Sequence, residues 1–169
     1  MLLIDNIIYD LQNYGGITSV WNSILSTLNK EKLPVSVLSS GSKFKYPGIN
    51  VFKSLKDRKL PLLLRRYLDV NIDGVDVFHS SYFRVHKSKK VKNIVTVHDF
   101  TYEKFDKGIR KLIHLKQKKH ALKRASAVIC VSENTKNDLL EYHPWLTPEI
   151  IHVIYNGYNK SVFYPLEKS

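Results

Sequence analysis

Apolar residues along this chain fall into short runs whose period changes from segment to segment. Leu2 to Leu11 reads as a first strand, with the continuous apolar character of a parallel strand covered on both faces. Gly15-Gly16 then makes a turn, and Ile17, Val20, Trp21, Ile24, Leu25 and Leu28 recur at helical spacing. Val35 to Ser39 and Ile49 to Phe52 predict two further strands, Lys56 to Leu68 a basic helix started near Pro61, and Val75 to Ser80 a strand ending in polar residues. Ile94 to His98 repeats that form. A long helix is expected over Lys107 to Arg124, with Ile109, Leu112, Ile113, Leu115 and Leu122 as its apolar contacts and its charged face exposed. Ala127 to Ser132 is a buried strand, and the Ser132 hydroxyl can cap the helix that follows, which Pro144 ends. Ile150 to Tyr155 gives the last strand. Strands alternating with helices predict an α/β protein, a Rossmann-like parallel sheet with helices on both faces, whose ligands bind beyond the C-terminal strand ends.

At 169 residues and 43% apolar content the chain closes one core and is short for two, so residues 1–169 are expected to form a single domain with 157–169 as an exit segment. Ten Tyr, seven Phe and two Trp exclude a disordered chain. The single cysteine, Cys130, lies between Ile129 and Val131 and reads as a buried structural thiol, which suits a reducing compartment. No metal site is expected, because the seven histidines form no ligand pair on one helix face. No apolar run approaches the roughly 20 residues of a spanning helix, and the N-terminus lacks the form of a secretory signal, so a cytoplasmic location is expected.

The net charge of +12 becomes informative when divided along the chain. Residues 53–124 hold 20 of the 27 Lys and Arg and only 7 of the 15 acids. Clustered charges sum their potential where scattered ones are screened over about 8 to 10 Å, so this region calls for an anionic partner. The 56–68 segment mixes bases with leucines, and the 107–124 helix carries eight Lys or Arg and no acid. This is the composition of an element lying on an anionic membrane, although a merely solvated face has it too. Nucleic acid is disfavoured, since no helix-turn-helix, zinc or RNP pattern accompanies the charge.

Candidate chemistry gathers at the strand ends. Gly15-Gly16 lets a ligand approach the backbone, and the N–H groups opening the helix at Ile17 can face an anion, but a plain tight turn uses the same residues. Neither a G-x-G-x-x-G nor a G-x-x-x-x-G-K-[ST] run is present. His98-Asp99 leaves a buried strand, so His98 can donate or accept at neutral pH with the adjacent carboxylate orienting it; a His bonded to loop backbone is the plainer alternative. Phe78-His79-Ser80-Ser81-Tyr82-Phe83-Arg84 ends a neighbouring strand with groups suited to a sugar face and its hydroxyls. Ser132-Glu133-Asn134 and Asn156-Gly157 stand at the same edge, where capping and turn chemistry also explain them.

Ala127-Val128-Ile129-Cys130-Val131-Ser132 running into Glu133-Asn134-Thr135, Ile150 to Gly157 closing on Phe163-Tyr164-Pro165, Gly15-Gly16, and Thr96-Val97-His98-Asp99 together resemble the N-terminal, acceptor-side half of a GT-B glycosyltransferase of the retaining family four. The resemblance covers nearly the whole chain. It implies an enzyme with catalytic residues His98 and Asp99, with Gly15, Gly16 and Ile17 at the donor's phosphate or sugar edge, and with Ser80, Tyr82, Arg84 and Glu133 on the acceptor. Such enzymes bind the nucleotide mainly through a C-terminal domain, so this chain alone is expected to be inactive and to need that domain in cis or in trans. The implied partners are a nucleotide-sugar donor as co-substrate, with no other cofactor, and a glycan or lipid-linked acceptor in cell-surface polysaccharide or lipopolysaccharide synthesis. Lys56, Arg58, Lys59, Arg65, Arg66, Arg110, Lys111, Lys118 and Lys119 are expected to face an anionic membrane, placing the protein peripherally on its inner face. The alternative is a non-catalytic Rossmann-like module docking on anionic membrane or on a separately encoded catalytic partner.

Overall fold

The computed structural model describes residues 1–12, 14–39, 50–53 and 61–157, with only the backbone described at 50–53, 62, 63 and 110. Seven parallel strands form one sheet: β1 (Leu2–Asp5), β2 (Val35–Ser39), β3 (Asn50–Lys53), β4 (Val77–Ser80), β5 (Lys92–Val97), β6 (Ala125–Cys130) and β7 (Ile151–Val153). Their order is β3-β2-β1-β4-β5-β6-β7, so the chain winds outward from β1 in one direction, returns, and winds outward in the other. That reversal leaves a crevice beyond the C-terminal ends of β1 and β4, where Asp5 pairs in register with Ser80.

Helices α1 (Ile8–Leu11), α2 (Gly16–Lys30), α3 (Leu62–Arg65), α4 (Thr101–Phe105), α5 (Ile109–Lys123) and α6 (Glu133–Tyr142) and a 3₁₀ turn at Pro148–Ile150 complete the elements of the described residues. Because side chains alternate across a strand, Ile4, Val35 and Val37 meet Trp21 and Leu25 of α2. Val95, Val97, Val128 and Cys130 meet Ala121 and Leu122 of α5 and Leu139 of α6 on the other face. The predicted Rossmann-like sheet is therefore what the chain forms.

Three local expectations give way. The run from Leu2 to Leu11 is a strand only to Asp5; Ile8–Leu11 is a helical turn, opened by the Ile8 N–H donating to Ser81 Oγ at 3.0 Å. A short apolar run is as compatible with a buried turn of helix as with a strand, and periodicity alone does not separate them. Of the basic helix expected over 56–68, only Leu62–Arg65 is helical among the described residues, and Lys56 to Leu60 lie outside them. Within the stretch ahead of the long helix, Thr101–Phe105 forms a separate helix, and Gly108 at φ +76° turns the chain between α4 and α5. Of the apolar contacts expected on helix α5, Leu122 is buried and Leu115 half-buried, but the other three are not. Ile109, Leu112 and Ile113 are 70%, 62% and 41% exposed, whereas His114, Gln117, Lys118, Ala121 and Leu122 are buried.

Candidate functional site

Beyond the ends of β4 and β5 lies a small cavity of about 60 Å³. Ile17 at the start of α2, Tyr82 after β4, and Thr96, His98 and Asp99 from β5 and its exit line one side. Tyr102, His114 and Lys118 from α4 and α5 close the other.

The approach from β1 ends at Gly15, the N-cap of α2, where no side chain caps the helix and no acid occupies the first turn. A Cβ at Gly15 would stand 2.7 Å from Nε2 of Gln12, whose amide donates to Thr18 Oγ1 at 3.2 Å, while a Cβ at Gly16 would meet open space. A side chain at the first glycine would have to displace the Gln12 amide, and one at the second would displace nothing. The uncapped N–H groups beside Ile17 leave that end of α2 suited to an anion.

His98 is half-buried, and its Nε2 is enclosed without a hydrogen-bond partner among the described residues. Burial lowers its pKa below the ordinary 6.5, and the weaker opposing pull of the Asp99 charge does not cancel this, so the imidazole is mainly neutral at pH 7. The strand exit around it is tied down on two sides. Thr135 Oγ1 donates to the His98 carbonyl at 3.4 Å, and Lys118 Nζ donates to the Asp99 carbonyl at 3.0 Å. Asp99 Oδ1 accepts from Thr101 N at 2.9 Å and starts α4. No hydrogen bond joins that carboxylate to the imidazole among the described residues, so its effect on His98 is electrostatic rather than orienting. Under them, His79 on β4 shares a 2.8 Å hydrogen bond with Thr96 Oγ1 and sets its ring edge-on to Trp21; burial and the neighbouring His98 push it down to about 4.

The wall opposite is aromatic. Tyr82 shares a hydrogen bond of 3.2 Å with His114 Nδ1 and carries the Arg66 guanidinium 4.5 Å above its ring. Tyr102 stacks on His114 with centroids 4.1 Å apart, and burial, followed by the Lys118 charge, pushes His114 down to about 4. The arrangement offers neutral imidazole, phenol and aromatic faces around a site open to a helix N-terminus, a set matched to a sugar ring, its hydroxyls and a nearby phosphate.

The family model of Glycosyltransferase Family 4 matches residues 14–162. The chain belongs to this family. Alpha-maltose-1-phosphate synthase of Mycolicibacterium smegmatis (strain ATCC 700084 / mc(2)155) is 43% identical to it over 47 residues, 28% of this chain and 12% of that protein. The protein of the same name from Mycobacterium tuberculosis (strain CDC 1551 / Oshkosh) is 44% identical over 45 residues, 27% of this chain and 12% of its own length. The chain thus matches only a small part of the length of these curated relatives.

In this Family 4 domain the expected site residues divide. Ile17, Tyr82, His98 and Asp99 come together in the cavity, with Gly15 and Gly16 immediately before Ile17. Ser80 and Arg84 do not reach it. Ser80 is buried, donating to Asp5 Oδ2 at 3.2 Å and accepting from the Tyr82 and Arg84 N–H groups. Arg84 donates to the Leu68 carbonyl at 2.9 Å and stands 3.5 Å from Asp5 Oδ1. Both hold the loop after β4, and neither lines this small cavity. Glu133 is exposed in the first turn of α6, capped by Ser132 Oγ accepting from Thr135 N, and does not line the cavity.

The basic residues divide as well. Lys118, expected at a membrane face, is 1% exposed: it pairs with Glu103 at 2.6 Å and lies 4.0 Å from the centre of the Phe100 ring. A cation so enclosed and neutralised cannot meet a membrane. Lys111 donates to the Glu103 carbonyl at 2.7 Å, Arg65 and Arg66 are half-buried, and Lys119 is exposed. Lys56, Arg58 and Lys59 lie outside the described residues, as does the side chain of Arg110.

Sequence reasoning missed Thr96, Tyr102, His114 and Lys118 as site residues. A signal was present for two of them, since His114 and Lys118 stand four apart in line with Ala121 and Leu122, the buried side of α5. Cys130 is buried as expected, and burial pushes its thiol up to about 11, which leaves it inert. Among the described residues no cluster of His, Cys, Asp or Glu could hold a metal ion, and no helix is long and apolar enough to cross a membrane.

Proposed function

We propose that this domain is the acceptor side of a glycosyltransferase that moves a sugar from a nucleotide-sugar donor to a glycan or lipid-linked acceptor in cell-surface polysaccharide or lipopolysaccharide synthesis. The observation that carries the reading is the cavity beyond the ends of β4 and β5, beside the reversal of strand order, into which Ile17, Tyr82 and His98 converge. In it the neutral His98 hydrogen-bonds a hydroxyl of the transferred sugar, with Asp99 tuning its charge. The uncapped start of α2, at Gly15, Gly16 and Ile17, faces the donor phosphate. Tyr82 offers its ring and phenol to the acceptor. The nucleotide is held mainly by a C-terminal domain in cis or in trans, so residues 1–169 by themselves form one acceptor-side domain with weak donor affinity and negligible turnover. Exposed Lys107, Lys116, Lys119 and Lys123, beside Phe105, Ile109 and Leu112, support docking on the inner face of an anionic membrane. At about 1 kcal/mol per engaged base, four such contacts hold a protein there reversibly.

The test uses the domain together with a C-terminal partner half and a labelled sugar nucleotide. His98→Ala is expected to lower transfer about 10²-fold or more with the fold intact. Full transfer by that variant removes His98 from the chemistry. It then favours the second reading, a binding module whose exposed basic face docks on membrane or on a catalytic partner. Micromolar donor binding by residues 1–169 alone, measured by calorimetry, overturns the division of labour between the two halves.

A further inference from the structure

A second and much larger cavity, about 640 Å³, backs onto the first, and the reading above leaves it unused. It runs between residues 66–72 and α5, within the size range of sites that enclose a whole organic ligand. Its apolar surface comes from Leu68, Val70, Ile72, Phe83 and Ile113. Its lining cations are Arg66, Lys87, Lys116 and Arg84, the last paired with Asp5, and its carboxylate, Asp69, accepts from His120 Nε2 at 3.0 Å. A pocket with an apolar interior and a rim whose bases outnumber its one acid is complementary to an amphiphile with an anionic head, more than to a neutral sugar or a bare ion.

The partition between the two cavities is built from consecutive residues. Phe83 lines both cavities, Tyr82 lines the small one, and Arg66 lines the large one with its guanidinium over the Tyr82 ring. Phe83 holds φ at +48°, a left-handed conformation costly for a bulky residue, between Ser80, which fixes the Tyr82 and Arg84 amides, and the buried Arg84. Arg66 donates to Gln117 Oε1 at 3.3 Å, but its Nε is enclosed with no acceptor among the described residues. That nitrogen faces protein rather than the cavity, and it is as a cation lining the large cavity at its junction with the small one, beside the Tyr82 side chain it also bonds, that Arg66 is placed to take an anion.

We propose that the larger cavity binds the phosphorylated end of a lipid-linked acceptor, with the phosphate at Arg66 and Lys116 and the first part of the chain over Leu68, Val70, Phe83 and Ile113. This rests on the glycosyltransferase reading, and it names the acceptor class: a glycan carried on a lipid phosphate. A phosphate held at Arg66 sets the sugar joined to it at the Tyr82 edge of the His98 cavity.

Residues 1–169 are titrated by calorimetry with decyl phosphate below its micelle concentration, with inorganic phosphate and with decanol, so that no bilayer is present. Decyl phosphate is expected to bind on the order of 10²-fold more tightly than inorganic phosphate, from burial of its chain methylenes. Arg66→Gln, which keeps a partner for Gln117, is expected to weaken it about tenfold or more. Ile113→Glu, at a half-exposed position, places an acid in the cavity and abolishes binding without lowering the thermal midpoint. Lys119→Ala, on the outer face of α5, leaves the affinity unchanged. Equal affinity for decyl phosphate and inorganic phosphate reduces the site to an anion patch and overturns the proposal. So does equal affinity for decanol, or indifference to both Arg66→Gln and Ile113→Glu. The readout uses neither donor nor transfer: binding, with no transfer once a C-terminal half and a sugar nucleotide are supplied, fails the glycosyltransferase reading alone, and transfer to a lipid-linked acceptor by a protein that ignores decyl phosphate fails this proposal alone.

Discussion

Lys118 and Lys119 are adjacent on α5 and live in different solvents. Lys118 is sealed against Glu103, the Asp99 carbonyl and the Phe100 ring, while Lys119 stands in water. The same contrast separates His114, buried between Tyr82 and Tyr102, from His120, which meets Asp69 at the rim. One side of α5 builds the His98 cavity and the other carries the field that attracts anions. The lesson is that a count of bases on a helix measures neither role: position modulo the helical period decides which bases are counterions of the fold and which belong to the surface.

The sharpest way to break this contrast is Lys118→Met. It strands the Glu103 carboxylate in the interior, and the expected loss is about 3–5 kcal/mol of unfolding free energy in urea titrations. Combining it with Glu103→Leu removes both charges and is expected to recover most of that loss, since a buried pair can often be replaced by apolar groups at little net cost. The double variant with a C-terminal half should still transfer sugar poorly, because the Asp99 carbonyl has lost its anchor. Full activity there makes the pair purely structural.

Acid tests the histidines on the inner side. His79 and His114 both sit near 4 when folded and near 6.5 when unfolded, and His98 and His143 are lowered too. The unfolded chain therefore binds more protons between these values, so stability is constant above about pH 6.5 and falls as pH drops toward 4. Each such histidine steepens the fall by up to about 1.4 kcal/mol per pH unit. Denaturation midpoints compared at pH 7 and pH 5 measure this, and His114→Asn should flatten the dependence. A midpoint unchanged between the two pH values contradicts the burial of these rings.

On the outer side the effects should be small. Lys119→Ala and Lys123→Ala are expected to change stability by less than about 0.5 kcal/mol, as for ordinary surface substitutions, and to act instead on binding to anionic vesicles. A large stability change at either position means that the outer face packs against something.

The parallel sheet and most of its strand positions were legible from alternating runs of strand and helix, because short apolar runs separated by amphipathic ones can be covered on both faces only in a parallel sheet; the run past Asp5 was the exception. Ser132 announced its cap, and His98 announced itself as a polar residue at the exit of an apolar strand. What could not be read was the sense of α5. Its apolar residues Ile109, Leu112 and Ile113 outnumber the buried Ala121 and Leu122, and the groups that draw Lys118 inward, the Glu103 carboxylate, the Asp99 carbonyl and the Phe100 ring, come from a polar stretch with no helical signal. Ser80 and Arg84 misled for the same reason: their partner, Asp5, lies 75 and 79 residues away in sequence.

The direction of the strands also sets the order in which this protein can assemble. Because every neighbouring pair is parallel, no ladder can begin at a tight turn; each waits for a crossover to be laid down first. From β4 to β7 the spatial neighbours follow one another along the chain, whereas β1 must find β4 across some 75 residues. The half bearing His98 should therefore acquire protected amides early, and the crevice that receives the ligand should close last. Pulsed hydrogen exchange on β5 and β1 reads that sequence directly, and simultaneous protection of the two would mean that the sheet condenses as one unit.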